Sequence, residues 1–104
     1  MTPKPETRLS NKIKAHVKGG GGVVLKLHGS TMQESGQPDL MGWIAVGDDP
    51  VHFAVELKMP GRDADELQEW RLKEWGRGDF CVGVVHSLEE FLQLVYDYQA
   101  DRQE

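Results

Sequence analysis

Apolar positions follow two different periods along the chain. From about Pro5 to Lys18, Leu9, Ile13 and Val17 recur every four residues, a narrow apolar stripe on a helix that the glycines at 19 to 22 end. Period two then takes over. "VVLKLH" at 23–28 reads as a strand, "GSTMQESGQP" as a polar loop closed by Pro38, and "DLMGWIAV" at 39–46 as a second strand. "GDDP" is a turn, and "HFAVELKM" at 52–59 is a third strand, paired with the second as an antiparallel hairpin. "PGRD" leads into another helix. Asp63 with Glu66 three residues on predicts a capping box at its start, and Gly76 and Gly78 predict its end. "FCVGVV" at 80–85 is apolar almost throughout, as expected of a strand covered on both faces. Ser87 and Glu90 form a second capping box, after which Leu88, Phe91, Leu92 and Val95 fall at i, i+3, i+4 and i+7 on an amphipathic helix. The order α-β-β-β-α-β-α predicts a mixed sheet with helices on both sides.

At 104 residues the chain is expected to be one domain that buries about two-thirds of its unfolded surface. No apolar run approaches the ~20 residues that span a membrane, and "MTPKPETRLSNK" lacks the apolar core of a signal peptide. The lone Cys81, inside an apolar run, reads as a buried filler residue. These features suit a reducing compartment, cytoplasmic or nucleoid-associated. The formal charge of −5 hides an asymmetry. Residues 1–28 carry Lys4, Arg8, Lys12, Lys14, Lys18 and Lys26 against Glu6 alone, while the rest carries six basic and sixteen acidic residues. A basic first third on an acidic body can form a local phosphate-binding surface; a lysine-rich first helix can also be merely solvated.

The third strand holds the chemistry. Phe53, Val55, Leu57 and Met59 share one face, and Ala54, Glu56 and Lys58 share the other. One explanation is an amphipathic edge strand with a surface ion pair. The other is a reaction centre in which the carboxylate holds a metal and the ammonium faces an anionic substrate. A second acid bears on the choice. Asp39 opens the preceding strand after a rigidifying Pro, and the hairpin puts the start of that strand near the end of the next. Asp39 and Glu56 can therefore meet at one sheet end, with the register left open. Two carboxylates and a backbone carbonyl, that of Leu57, are hard oxygen ligands suited to Mg²⁺ or Mn²⁺. On the following helix Gln68 falls within the inward arc of Ala64, Leu67, Leu72 and Trp75, and so needs a polar partner, either the site or backbone. His16, His52 and His86 show no zinc-ligand grouping. Trp43 and Trp75 read as core, whereas Trp70 points away from Gln68 and is a candidate interface residue.

Pro-Asp, a gap, then Glu-x-Lys on the next strand resembles the PD-(D/E)XK nuclease superfamily. "GQPDL", "VELK", "LQ" and "GRGDFCVGVVHSLEEF" are similar to its VRR-NUC branch, over roughly residues 6–95 and in the same element order. The resemblance implies an α/β fold with a restriction-endonuclease-like αβββαβ core, its mixed sheet flanked by helices, plus a C-terminal helix. It also implies metal-dependent hydrolysis of DNA phosphodiesters by a free-standing domain, working as a homodimer on branched DNA like the related Holliday-junction resolvases. Asp39 and Glu56 match the metal ligands, Lys58 the catalytic lysine and Gln68 the glutamine of the following helix. Glu6 resembles the first-helix acid that assists the metal site, though an acid there also complements the helix dipole. Lys26 and His28, which share a strand face, are expected to approach DNA phosphate, with Lys12 and Ser30 as further contacts. Two rival functions stand beside this one: a nuclease-fold DNA-binding module with weak or no activity, and a structural protein with a surface Glu–Lys pair. The presence of Asp39, Glu56, Lys58 and Gln68 together favours the nuclease.

Overall fold

The computed structural model describes residues 4–27 and 35–102. His28 and Ser30, two of the expected DNA contacts, lie outside the described residues. The elements are α1 (Pro5–Gly19), β1 (Val23–Lys26), β2 (Leu40–Val46), β3 (Asp49–Leu57), α2 (Glu66–Arg77), β4 (Cys81–Val85) and α3 (Leu88–Arg102), in the order that the periodicity predicts.

The four strands form one sheet in the order β1-β2-β3-β4. β1 and β3 each run antiparallel to β2, while β3 and β4 are parallel and are joined by the α2 crossover. The β2–β3 hairpin closes tightly on Gly47 and Asp48, with Gly47 at φ 63°, the positive value that a two-residue hairpin turn requires. β3 is thus an inner strand, starting at Asp49 rather than at His52, and its run from Phe53 to Leu57 is buried throughout. That position excludes the amphipathic edge strand. A charged pair on a solvated edge and a carboxylate sealed inside a sheet are different objects.

One face of the sheet carries the core. Val24, Leu40, Ile44, Val51, Phe53, Val55, Leu57, Cys81 and Val85 are buried with Leu9, Ile13 and Val17 of α1 and with Phe91 and Val95 of α3. Phe53 and Phe91 meet edge to face at 4.9 Å between ring centroids. Burial pushes the Cys81 thiol up to about 12, which suits an inert packing residue. The other face is covered by α2 over β3 and β4.

Local details differ from the sequence expectations where two capping signals overlapped. Asp65, not Asp63, caps α2: its carboxylate accepts from Gln68 N at 2.8 Å, and Gln68 Oε1 accepts from Asp65 N at 2.9 Å. Gly76 remains inside α2, and Gly78 caps it. At the start of α3, Ser87 Oγ accepts from Glu90 N at 3.1 Å, but Glu90 turns its carboxylate to the His86 backbone and ring instead of returning it to Ser87. Leu67 lies exposed rather than in the core, and Leu72 is the buried residue of α2. Trp43 and Trp75 are half-buried.

Candidate active site

At one end of the sheet β1, β3 and β4 finish and β2 begins. Asp39 immediately precedes β2 and is fixed from both sides: its N donates to Val55 O at 3.0 Å and its O accepts from Leu27 N at 2.9 Å. The register pairs Leu40 with Val55, so Asp39 and Glu56 stand opposite one another at the strand ends. Asp39 Oδ2 accepts from Leu57 N at 2.8 Å, which orients its carboxylate across β3. The approach to Asp39 is held by α2. Arg71 Nε donates to Ser35 O at 3.2 Å and Trp75 Nε1 to Gln37 Oε1 at 2.9 Å. Gly36, at φ 82°, turns the chain between these two anchors.

Glu56 is 3% exposed, a depth at which a carboxyl is costly to ionise. Gln68 Nε2 donates to Glu56 Oε1 at 3.2 Å. The two expected partners of Gln68, site and backbone, are both real: its Oε1 takes the Asp65 amide and its Nε2 takes Glu56. Glu56 Oε2 is buried with no hydrogen-bond partner. Burial first, then a hydrogen bond to the Asp39 carboxyl and the charge of Asp39, push Glu56 up to about 8, against a smaller downward pull from Lys58. Near neutral pH Glu56 therefore keeps its proton in the metal-free site.

Around the pair opens a cleft of about 890 Å³, whose walls include Glu6, Ser10, Lys26, Asp39, Glu56, Lys58 and Gln68. Glu6 reaches it from the first turn of α1, and Lys26 from the end of β1. Lys58 is the first residue after β3, half-buried, with its N donating to Val85 O at 3.1 Å. Lys12 is apart from this group: it lines a second, smaller groove with Arg8 and His86. Trp70 is 49% exposed on α2, with the Arg71 guanidinium 5.0 Å from its ring centroid.

The donor set suits a hard divalent cation. Among the described residues no three of His, Cys, Asp and Glu gather as a metal cluster. Two carboxylates are what such a cation would take here, with the Leu57 carbonyl, water and substrate oxygen completing its shell. The unpartnered, buried Glu56 Oε2 and the raised Glu56 pKa are compatible with such a donor set, since a cation there would take the place of a proton.

Two residues of the cleft region were missed by sequence reasoning. Asp65 was hidden behind Asp63, although Asp65-x-x-Gln68 carries the same capping spacing. Ser10 looked like one more polar position of a charged helix; its offset of four from Glu6 was the available signal.

Comparison with solved structures follows this geometry. A structure described as "VRR_NUC domain" superposes with a TM-score of 0.73 at 28% identity, covering 92% of this chain and 99% of its own. A second, described as "VRR_NUC domain protein", gives a TM-score of 0.61 at 14% identity, covering 94% and 90%, and speaks for the fold alone. No family model and no curated protein sequence matches the chain. A four-stranded mixed sheet with three helices, shared with these structures over nearly its whole length, defines a nuclease-type fold. The chain is similar to the VRR-NUC domain in both fold and sequence over nearly its whole length. None of its described helices is long and apolar enough to cross a membrane.

Proposed function

We propose that this domain is a Mg²⁺- or Mn²⁺-dependent endonuclease that hydrolyses DNA phosphodiester bonds, selective for branched DNA such as four-way junctions. The observation that carries the reading is the meeting of Asp39, Glu56, Lys58 and Gln68 in one open cleft at one sheet end. A divalent cation held by Asp39 and Glu56 would supply an activated water and stabilisation of the leaving oxygen. The residues of the chain do the rest. Gln68 fixes Glu56 Oε1 and leaves Oε2 as the donor atom. The Leu57 amide fixes Asp39 Oδ2. Lys58 meets the scissile phosphate and offsets the negative charge that builds on it. Lys26 at the cleft wall attracts the DNA backbone.

Resolution of a four-way junction takes two paired cuts, which a twofold homodimer provides. Exposed Val23, Leu25 and Trp70, at 47%, 57% and 49%, support such an assembly. The test is cleavage of duplex, single-stranded, flap and four-way substrates with Mg²⁺ or Mn²⁺, comparing wild type with Asp39→Ala. Metal-dependent cleavage by the wild type, strongest on branched substrates and absent in Asp39→Ala, is the expected result. Equal cleavage by the variant contradicts the site. Tight DNA binding without cleavage under either metal contradicts the enzyme.

A further inference from the structure

Ser10 occupies the interior of α1, one turn after Glu6, and is 4% exposed. Its Oγ has no hydrogen-bond partner. A serine inside a helix usually points to water or bonds back to the carbonyl four residues earlier. Ser10 does neither. Helix propensity and burial both favour alanine at such a position, since the hydroxyl competes with the helix and is desolvated without return. Nothing in the packing of α1 explains the oxygen.

The second orphan oxygen among the described residues is Glu56 Oε2, and both residues line the same cleft. One approaches from α1 and the other from β3, with Glu6 and Asp39 beside them. Two residues that line one cavity, each with a buried polar atom lacking a hydrogen-bond partner, mark a place where a polar guest can be taken up. A hydroxyl can both donate and accept, so it suits a water molecule held against a carboxylate better than it suits a metal directly.

We propose that Ser10 is a positioning residue of the cation site, its hydroxyl holding a water that belongs to the hydration shell of a divalent cation on Asp39 and Glu56. The inference rests on the metal-dependent reading above and extends it to α1. Ser10 touches neither substrate nor metal. It acts through the water, as outer partners of metal sites do, and removing such a partner typically weakens metal binding about 10- to 100-fold.

The sign of the stability change separates this role from a structural one. Wild type, Ser10→Ala, Ser10→Thr and Asp39→Ala are each titrated with Mn²⁺ by calorimetry, and their metal-free stability is measured by urea unfolding. Ser10→Ala should be as stable as wild type or more so without metal, yet bind Mn²⁺ at least about tenfold more weakly. Ser10→Thr, which restores the hydroxyl, should recover most of that affinity. Wild-type Mn²⁺ affinity in Ser10→Ala, with binding still abolished by Asp39→Ala, overturns the role of Ser10 alone. Loss of metal-free stability in Ser10→Ala with unchanged Mn²⁺ affinity assigns the hydroxyl to packing and also overturns it. No Mn²⁺ uptake by wild type, or equal uptake by Asp39→Ala, overturns the cation reading and the inference with it.

Discussion

Near the hairpin end of the sheet, Gln99 of α3 is buried and its Nε2 donates to Asp49 Oδ2 at 2.7 Å. At the opposite end Glu56 is buried more deeply, and its Oε2 has no hydrogen-bond partner. Both ends place a polar group beneath the surface of a small domain, where an unmet hydrogen bond is expensive. One end closes the gap within the chain. The other leaves it open, packs a second carboxylate alongside, and surrounds both with a cleft. The difference separates a group kept for the fold from a group kept against the fold, and the second kind is where chemistry is to be sought.

Substitutions at the two ends should therefore split stability from activity. The largest effect is expected at the open end. Lys58→Ala should lower turnover about 10²- to 10³-fold, the usual cost of one transition-state contact, with Mn²⁺ affinity nearly unchanged because the ammonium ligates no cation. Collapse of Mn²⁺ binding together with turnover would give Lys58 a different role.

Glu56→Gln should stabilise the metal-free protein while destroying cleavage. The folded state keeps a proton on Glu56 up to about pH 8, which the unfolded chain gives up near its ordinary 4.5. The stability linked to this group is therefore complete below 4.5, falls as pH rises, and is fully lost above about 8. Glutamine cannot ionise, so the variant should gain on wild type by a few kcal/mol across that window and plateau above it. Parallel stability–pH curves for the two proteins would contradict the buried, proton-sharing pair.

At the closed end the expectation reverses. Gln99→Ala removes the partner of a buried contact to Asp49 and should cost about 1–3 kcal/mol in urea unfolding. Its kcat on a duplex or junction substrate should stay at the wild-type value.

The smallest effect is expected just past the end of β4, at the open end but outside the cleft. His86 bonds Glu90 Oε1 at 2.8 Å through Nδ1 and Arg62 O at 2.9 Å through Nε2. Two acceptors on one ring favour imidazolium, and the Glu90 bond, the Arg62 carbonyl and the charges of Glu90 and Asp63 raise His86 above its ordinary 6.5. This stabilisation is complete below 6.5 and is lost as pH rises through the elevated value. His86→Gln should differ most from wild type in mildly acid buffer, and urea midpoints of the two should converge toward alkaline pH.

What could be read from the sequence follows the range of the interactions. Periodicity gave all seven elements in order, because each apolar stripe is a local property of its own segment. The pairing of Asp39 with Glu56 was legible as far as the sheet end, since a short hairpin limits where two strands can meet. Its register was not, and the depth of Glu56 depended on β4 joining β3 in parallel across a helix, which no local pattern states. Asp65 was lost among neighbouring acids that offered a competing cap. Ser10 was lost because a buried serine and a solvated one look alike until a helix is placed on a sheet.

The central claim is that Glu56 gives up its proton when it and Asp39 take a divalent cation. Calorimetric titration of Mn²⁺ at pH 7, in two buffers of different ionisation enthalpy, measures the protons released per cation bound. Wild type should release about one proton for each Mn²⁺ taken up, and Asp39→Ala should show no binding. Uptake of Mn²⁺ without proton release, or equal uptake by Asp39→Ala, would contradict it.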